Sequence, residues 1–271
     1  MNTMKSYKFY LSLPFSTLLF SGHVFAEDNV ALANQLSNPI ANLISVPFQF
    51  DVDDKVGPGE GMQNTLKIEP VIPIPFGDDA NIISRTIMPL TYQNDVTGEG
   101  QNQFGMGDIT QSFFYSPKKP TKNGLIWGVG PVLLIPTGTD NALSAKKWGA
   151  GPTAVFLKQT GPWTYGALLN HIWDYAGQND RKRISASFMQ PFVSWTSSQA
   201  VSVSLNTEST YDWTENQWSV PINLMVAKVT RIGNQTVQFG GGFRYWAKST
   251  DENGPEGLGI RLKVTLLFPE K

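Results

Sequence analysis

Eight charged residues stand where chemistry or ion handling would need them: Lys67, Glu69, Arg85, Asp108, Glu208, Arg244, Arg261 and Lys263. Each lies on the polar side of a segment whose other side is apolar. A ladder of one sign would lay a path for ions. These signs are mixed, which predicts paired charges on neighbouring strands around a narrow or partly closed bore. Structural ion pairing alone would use the same residues, and the sequence leaves both readings open. Arg261 and Lys263 are expected near Glu69, because the last strand of a closed sheet lies beside the first and the second follows it.

Catalytic groups are scarce. The chain has no cysteine, so thiol nucleophiles, disulfides and cysteine metal sites are excluded. Of the 2 histidines, His23 falls in a leader segment and His171 remains. Its context, Asn170-His171-Ile172-Trp173, lacks the His-x-Ser pairing of outer-membrane lipid hydrolases. Alternation puts His171 with Leu169, Trp173 and Tyr175 on an outward face, so an enzyme would need a Ser or Thr beside it there. Gly57-Pro58-Gly59-Glu60-Gly61 has neither the Lys-Ser/Thr nor the helix of a phosphate-binding loop. Asp51, Asp53, Asp54 and Glu60 offer oxygen ligands for Ca²⁺ but no defined loop spacing, and read as a solvated first loop. Arg181-Lys182-Arg183 and Lys146-Lys147 fall in connectors, where lipopolysaccharide phosphates or plain solvent would meet them. No cofactor is expected. A formal net charge of −1 carries no nucleic-acid signature.

The elements that would hold these side chains are strands. In the last, Ile260, Leu262, Val264, Leu266 and Phe268 alternate with Arg261, Lys263 and Thr265, one oily face against one polar face. The same pattern recurs from residue 43 onward: Ile44, Val46, Phe48 and Phe50 against Ser45, Gln49 and Asp51; Leu66 and Ile68 against Thr65, Lys67 and Glu69; Val201, Val203 and Leu205 against Ser202, Ser204, Asn206 and Glu208. In the segment 184–195 the pattern weakens, with Gln190 on the apolar face. About twelve such strands, each near the 9–11 residues of a tilted membrane strand, fit the chain. Long polar connectors (52–64, 93–107, 136–147, 176–183 and 248–257) alternate with shorter ones. Trp127, Trp148, Trp163, Trp173, Tyr175, Trp195, Tyr211, Trp218 and Trp246 sit at strand ends, as in interfacial girdles. The expected fold is all-β: a closed antiparallel transmembrane β-barrel of about 12 strands. A two-sheet sandwich has the same alternation, but its strands are shorter and its core does not take charge.

The N-terminus reads as a signal peptide: Lys5 and Lys8, an apolar stretch Phe9–Phe20 too short to span a bilayer, and Val24-Phe25-Ala26 as cleavage site. An uncleaved anchor is the alternative. The expected organisation is a signal peptide over 1–26, a periplasmic or plug segment over 27–41 with a short helix at Val30–Leu36, and the barrel over 42–271. Export and a barrel together place the chain in a bacterial outer membrane. Its partners would be outer-membrane lipid and lipopolysaccharide, the barrel assembly machinery and a small-molecule solute.

The segments ANLISVPFQF, GPGEGMQNTLKIEPVIPIP, GDITQSFFYSPKKP, GPWTYGALLNHIW, PINLMVAKV and LKVTLLFPEK, in this order, resemble the MetA-pathway of phenol degradation family of bacterial outer-membrane β-barrels, whose members are often mislabelled neuromedin U. The resemblance implies a transporter, with an association to aromatic-compound catabolism, and implies no catalytic or binding residue. The functional expectation is a non-enzymatic channel for passive uptake of small molecules, hydrophobic or aromatic ones included. A lipid-modifying enzyme and a structural or adhesive barrel without a pore are the alternatives.

Overall fold

The computed structural model describes residues 21–250 and 254–269, with side chains from residue 28 onward. The expected leader lies largely outside these residues. A helix, α1 (Ser21–Leu36), is followed by fifteen strand segments: β1 (Ile44–Val56), β2 (Gly61–Ile68), β3 (Val71–Phe76), β4 (Ala80–Asn94), β5 (Asn102–Met106), β6 (Ile109–Pro117), β7 (Leu125–Ile135), β8 (Lys147–Thr160), β9 (Trp163–Gly177), β10 (Ser185–Thr196), β11 (Val201–Thr207), β12 (Ser209–Asp212), β13 (Gln217–Ile232), β14 (Gln235–Lys248) and β15 (Gly257–Phe268).

Three crossings are broken in two, β2/β3, β5/β6 and β11/β12, so the fifteen segments make a closed antiparallel barrel of 12 strands. Pairing of β9 with β10 and of β1 with β15 leaves no open edge. Closure is what lipid demands of a sheet, since an edge would hold unpaired backbone groups there. No described helix is long and apolar enough to cross a membrane.

The breaks have a chemical cause. Pro47 in β1, Pro89 in β4 and Pro221 in β13 have no N–H to give the ladder. Opposite them, Glu69, Gly107 and Glu208 donate their N–H to the proline carbonyls at 2.9, 2.9 and 3.4 Å. The return bond cannot form, and the ladder is interrupted at each site. Two of the eight predicted charged residues stand on these breaks, and Asp108 stands beside the third.

Alternation sends polar residues inward and apolar residues out. Phe50, Ile74, Val129, Leu205, Leu224, Leu262 and their neighbours form an exposed band. At the short-turn end Tyr115 packs T-shaped on Phe76 and tilted against Trp127, with ring centroids 6.1 and 6.2 Å apart. Trp163 pairs with Trp195 at the same end. Trp148, Trp173, Tyr175, Tyr211 and Trp218 mark the other. Trp246 departs from the girdle expectation. It lies on the inward face, where its indole N–H donates to Asp53 Oδ1 at 2.7 Å and its ring stacks under the Arg244 guanidinium.

The first connector is also shorter than expected. β1 continues through Val56 and β2 begins at Gly61, so Asp51 and Asp53 are strand residues facing inward, not residues of a solvated loop. In β10, Gln190 faces the interior together with Phe188 and Phe192. The weak alternation there reflects an apolar patch on the inner wall.

The helix is longer than the expected Val30–Leu36. Ser37 and Asn38 close it by 3.2 and 2.9 Å backbone bonds, and Pro39 prevents its continuation. Ala33 packs on Ala200 and Val229, while Leu32 and Leu36 also reach Ala41, Leu43 and Leu267. Ile40 inserts on the far wall among Ile83, Phe114, Val155, Leu157 and Leu168. Ser37 bonds Ser194, Gln159 bonds the Asn34 carbonyl and Asn81 bonds Asn42. The segment from α1 to Asn42 therefore lies across the bore at the short-turn end.

Candidate functional site

The inner wall of β15, β1, β2 and β4 carries most of the charge. Asp51 stands directly opposite Arg261 in the β1–β15 register. Arg261 Nε donates to Asp51 Oδ1 at 2.6 Å and its Nη2 to Oδ2 at 3.0 Å. The rest of the guanidinium grips Glu208, at 2.7 and 3.0 Å. Such two-pronged pairing is what the planar fork of arginine allows. Asp51 Oδ2 also accepts from Gln49 at 3.2 Å, Arg244 at 3.1 Å and Lys67 at 3.2 Å. Asp51 is 0% exposed and Arg261 1%, so neither charge is shared with solvent. Arg244 extends the network to Asp53 at 3.3 Å.

Glu208 gives the network its shape. It sits between β11 and β12, and β13 and β14 separate it from β15. Its contact with Arg261 is a chord across the bore, not a neighbour-strand pair. The Pro221 break makes this aim feasible, because bulged positions redirect side chains. On β14, Gly242 faces Arg261 across the strand pair; a Cβ there would collide with the Leu224 carbonyl. No side chain obstructs the arginine from that strand.

The sequence-derived set thus separates. Lys67, Glu208, Arg244 and Arg261 meet in one cluster. Glu69 and Arg85 form a looser pair at 3.8 Å beside it. Lys263 lines the same cavity, and the charges in its electrostatic reach are Glu69, Arg85, Arg261 and Glu208. Arg261 pairs with Asp51 and Glu208, not with the expected Glu69. Asp108 does not join them. One carboxylate oxygen accepts from Gly138 N–H and Ser144 hydroxyl at 3.0 and 2.6 Å, the other from Ala145 N–H at 2.7 Å. It organises the connector 136–146 at the long-connector end. Asp51 and Asp53, which sequence reasoning read as part of a solvated first loop, are central. Their signal was the unbroken every-second-residue register Gln49, Asp51, Asp53.

Between the chord and the α1 segment lies a cavity of about 470 Å³. Ser37, Asn38 and Pro39 bound it at one end and Glu208 and Arg261 at the other. Its walls differ: charged on β15, β2 and β4, mostly apolar on β9 and β10, where Asn170, Gln190 and Ser194 interrupt Leu168, Ile172, Phe188 and Phe192.

Outside the bore, His171 meets the condition set for the enzymatic alternative. Its Nδ1 lies 2.7 Å from Ser187 Oγ on the outward face, and Ser185 Oγ is 3.4 Å from Nε2. The Trp213 indole N–H donates to the same Ser187 oxygen at 2.9 Å. Among the basic connector residues, Arg181 donates to the carbonyls of Asn141 and Ser144, and Arg183 pairs with Asp174 at 2.9 Å. Lys182 is 84% exposed and pairs with Glu215 at 3.0 Å. Among the described residues no cluster of His, Asp or Glu is suited to a metal ion.

The architecture defined by this wall and closure is that of outer-membrane β-barrels. An outer-membrane channel from Pseudomonas putida F1 superposes with a TM-score of 0.63 at 15% identity, over 83% of this chain and 94% of that one. Outer membrane phospholipase A from Escherichia coli superposes with a TM-score of 0.50 at 9% identity, over 89% and 98%. These likenesses are of fold. No family model and no curated protein matches the sequence.

Proposed function

We propose that the protein is an outer-membrane channel through which small solutes diffuse passively, without chemistry. The observation that carries this reading is the interior. A packed barrel would fill its bore with side chains. This one holds a cavity of about 470 Å³ with a charged wall, narrowed by the Arg261–Glu208 chord and by the segment 37–42. The channel among the similar folds, and the resemblance to the MetA-pathway family, agree with it. That family association points to small hydrophobic or aromatic solutes. The bases on the connectors, Lys182 foremost, would face lipopolysaccharide.

In this reading α1 and Ser37–Asn42 act as a plug, and the charge network fixes the bore's narrowest section. Single-channel recording in planar bilayers tests it. Discrete conductance is expected, rising when residues 27–41 are deleted.

A second reading is favoured by one observation, the His171–Ser187 contact at 2.7 Å on the lipid-facing side. A nucleophile and base at this distance are the minimum for acyl hydrolysis. Among the described residues no carboxylate orients the imidazole, and the indole N–H of Trp213 withdraws electron density from the serine oxygen. We therefore rank it below the channel. Phospholipid hydrolysis by the wild type, abolished in both H171A and S187A, would establish it.

A further inference from the structure

The cavity wall is asymmetric in a way that selects a solute class. We propose that the cavity binds small amphipathic anions, a carboxylate against Lys263 and an apolar, ring-sized body against Phe188 and Phe192. This deepens the channel reading and rests on it for transport, though the binding site itself does not need it.

The charge balance comes first. Five cations face inward on this wall and its neighbour β14: Lys67, Arg85, Arg244, Arg261 and Lys263. Four carboxylates answer them: Asp51, Asp53, Glu69 and Glu208. Asp51, Asp53 and Glu208 are spent on Arg244, Arg261 and Lys67. Glu69 is left for both Arg85, at 3.8 Å, and Lys263. No carboxylate among the described residues lies within ion-pair distance of the Lys263 ammonium. The Lys263 ammonium is half-buried on the cavity wall, with no ion-paired carboxylate among the described residues to neutralise it. An anion in the cavity would supply that counter-charge.

The second half is the opposite wall. Around the 12-strand ring, β9 and β10 lie diametrically across from β1 and β2, and β10 lies four strands from β15. Leu168, Ile172, Phe188 and Phe192 project from them into the same cavity. Phe188 and Phe192 pack against the cluster around Ile40 and turn their remaining surface to the cavity, which gives it an apolar floor. A void of roughly 150 Å³ holds benzene, so about 470 Å³ leaves room for a ring, its carboxylate and water. Gly240, opposite Lys263 on β14, puts no side chain between the ammonium and the cavity.

The test is equilibrium binding to the full-length protein in detergent micelles, read by calorimetry with three probes. Benzoate has the ring and the charge, benzamide only the ring, acetate only the charge. Wild type is expected to bind benzoate about tenfold or more tightly than either other probe. K263Q should bring benzoate down to the benzamide level, and F188A should bring it down to the acetate level. E69Q should move the other way, tightening benzoate, because it removes the negative charge that pairs with Arg85 and opposes an anion at Lys263. That gain cannot come from misfolding. Equal binding of benzoate and benzamide to wild type, or an unchanged preference in both K263Q and E69Q, overturns the proposal. Flux of the neutral sugar arabinose into proteoliposomes is measured in parallel. Absent flux with intact benzoate selectivity defeats the channel reading alone; present flux without selectivity defeats only the anion site.

Discussion

At the scale of single residues, Asp51 decides the most. It is fully buried and accepts from Gln49, Lys67, Arg244 and Arg261. Removing one member of so enclosed a set strands the others. R261L should lower unfolding stability by about 3 kcal/mol, the scale of a broken buried pair, with a larger loss resisted by Lys67 and Arg244. Denaturant unfolding in micelles would show it, and a change under ~1 kcal/mol would mean that water reaches the cluster. Asp51 was hard to read from sequence because the run Asp51-Val52-Asp53-Asp54 looks like an acidic loop. Its alternation with Val52 was legible, but the hairpin's extension to Val56 was not. Asp108 misled in the other direction: its parity belongs to a strand, but Gly107 breaks the strand just before it. His171 was placed on the outward face by parity alone. Its contact with Ser187 depends on the β9–β10 register, which no local pattern encodes. H171A is expected to leave conductance unchanged and to reveal no lost lipase activity; a loss of hydrolysis would promote the second reading.

At the scale of elements, proline places the charge. Pro221 denies Glu208 a return hydrogen bond and lets its carboxylate leave the ladder for Arg261. P221A should restore the missing donor and draw the strand back into register. E208Q should weaken the chord directly. Both are expected to raise single-channel conductance and to shift the reversal potential in a salt gradient, E208Q toward anions because one negative charge is lost. Unaltered conductance in both variants would show that the chord does not limit the bore. The strands were legible because period-two alternation is strong over long segments. Their breaks were not, because the effect of a proline depends on which strand lies opposite. The helix was read too short for a similar reason: its apolar residues gain meaning only against Ala200, Val229 and Leu267, far along the chain.

At the scale of the whole molecule, a continuous outward apolar band, aromatic ends and a closed ring of 12 strands describe a barrel built for lipid. That much followed from the alternation and from closure being the only solution for strands in a bilayer. The interior did not follow, since alternation says which residues point inward but not how far apart they end. The central claim is that the bore is a path. Planar-bilayer conductance of the wild type beside a variant lacking residues 27–41 tests it most directly. The account predicts discrete openings in the wild type and larger ones in the variant; a barrel electrically sealed in both would contradict it.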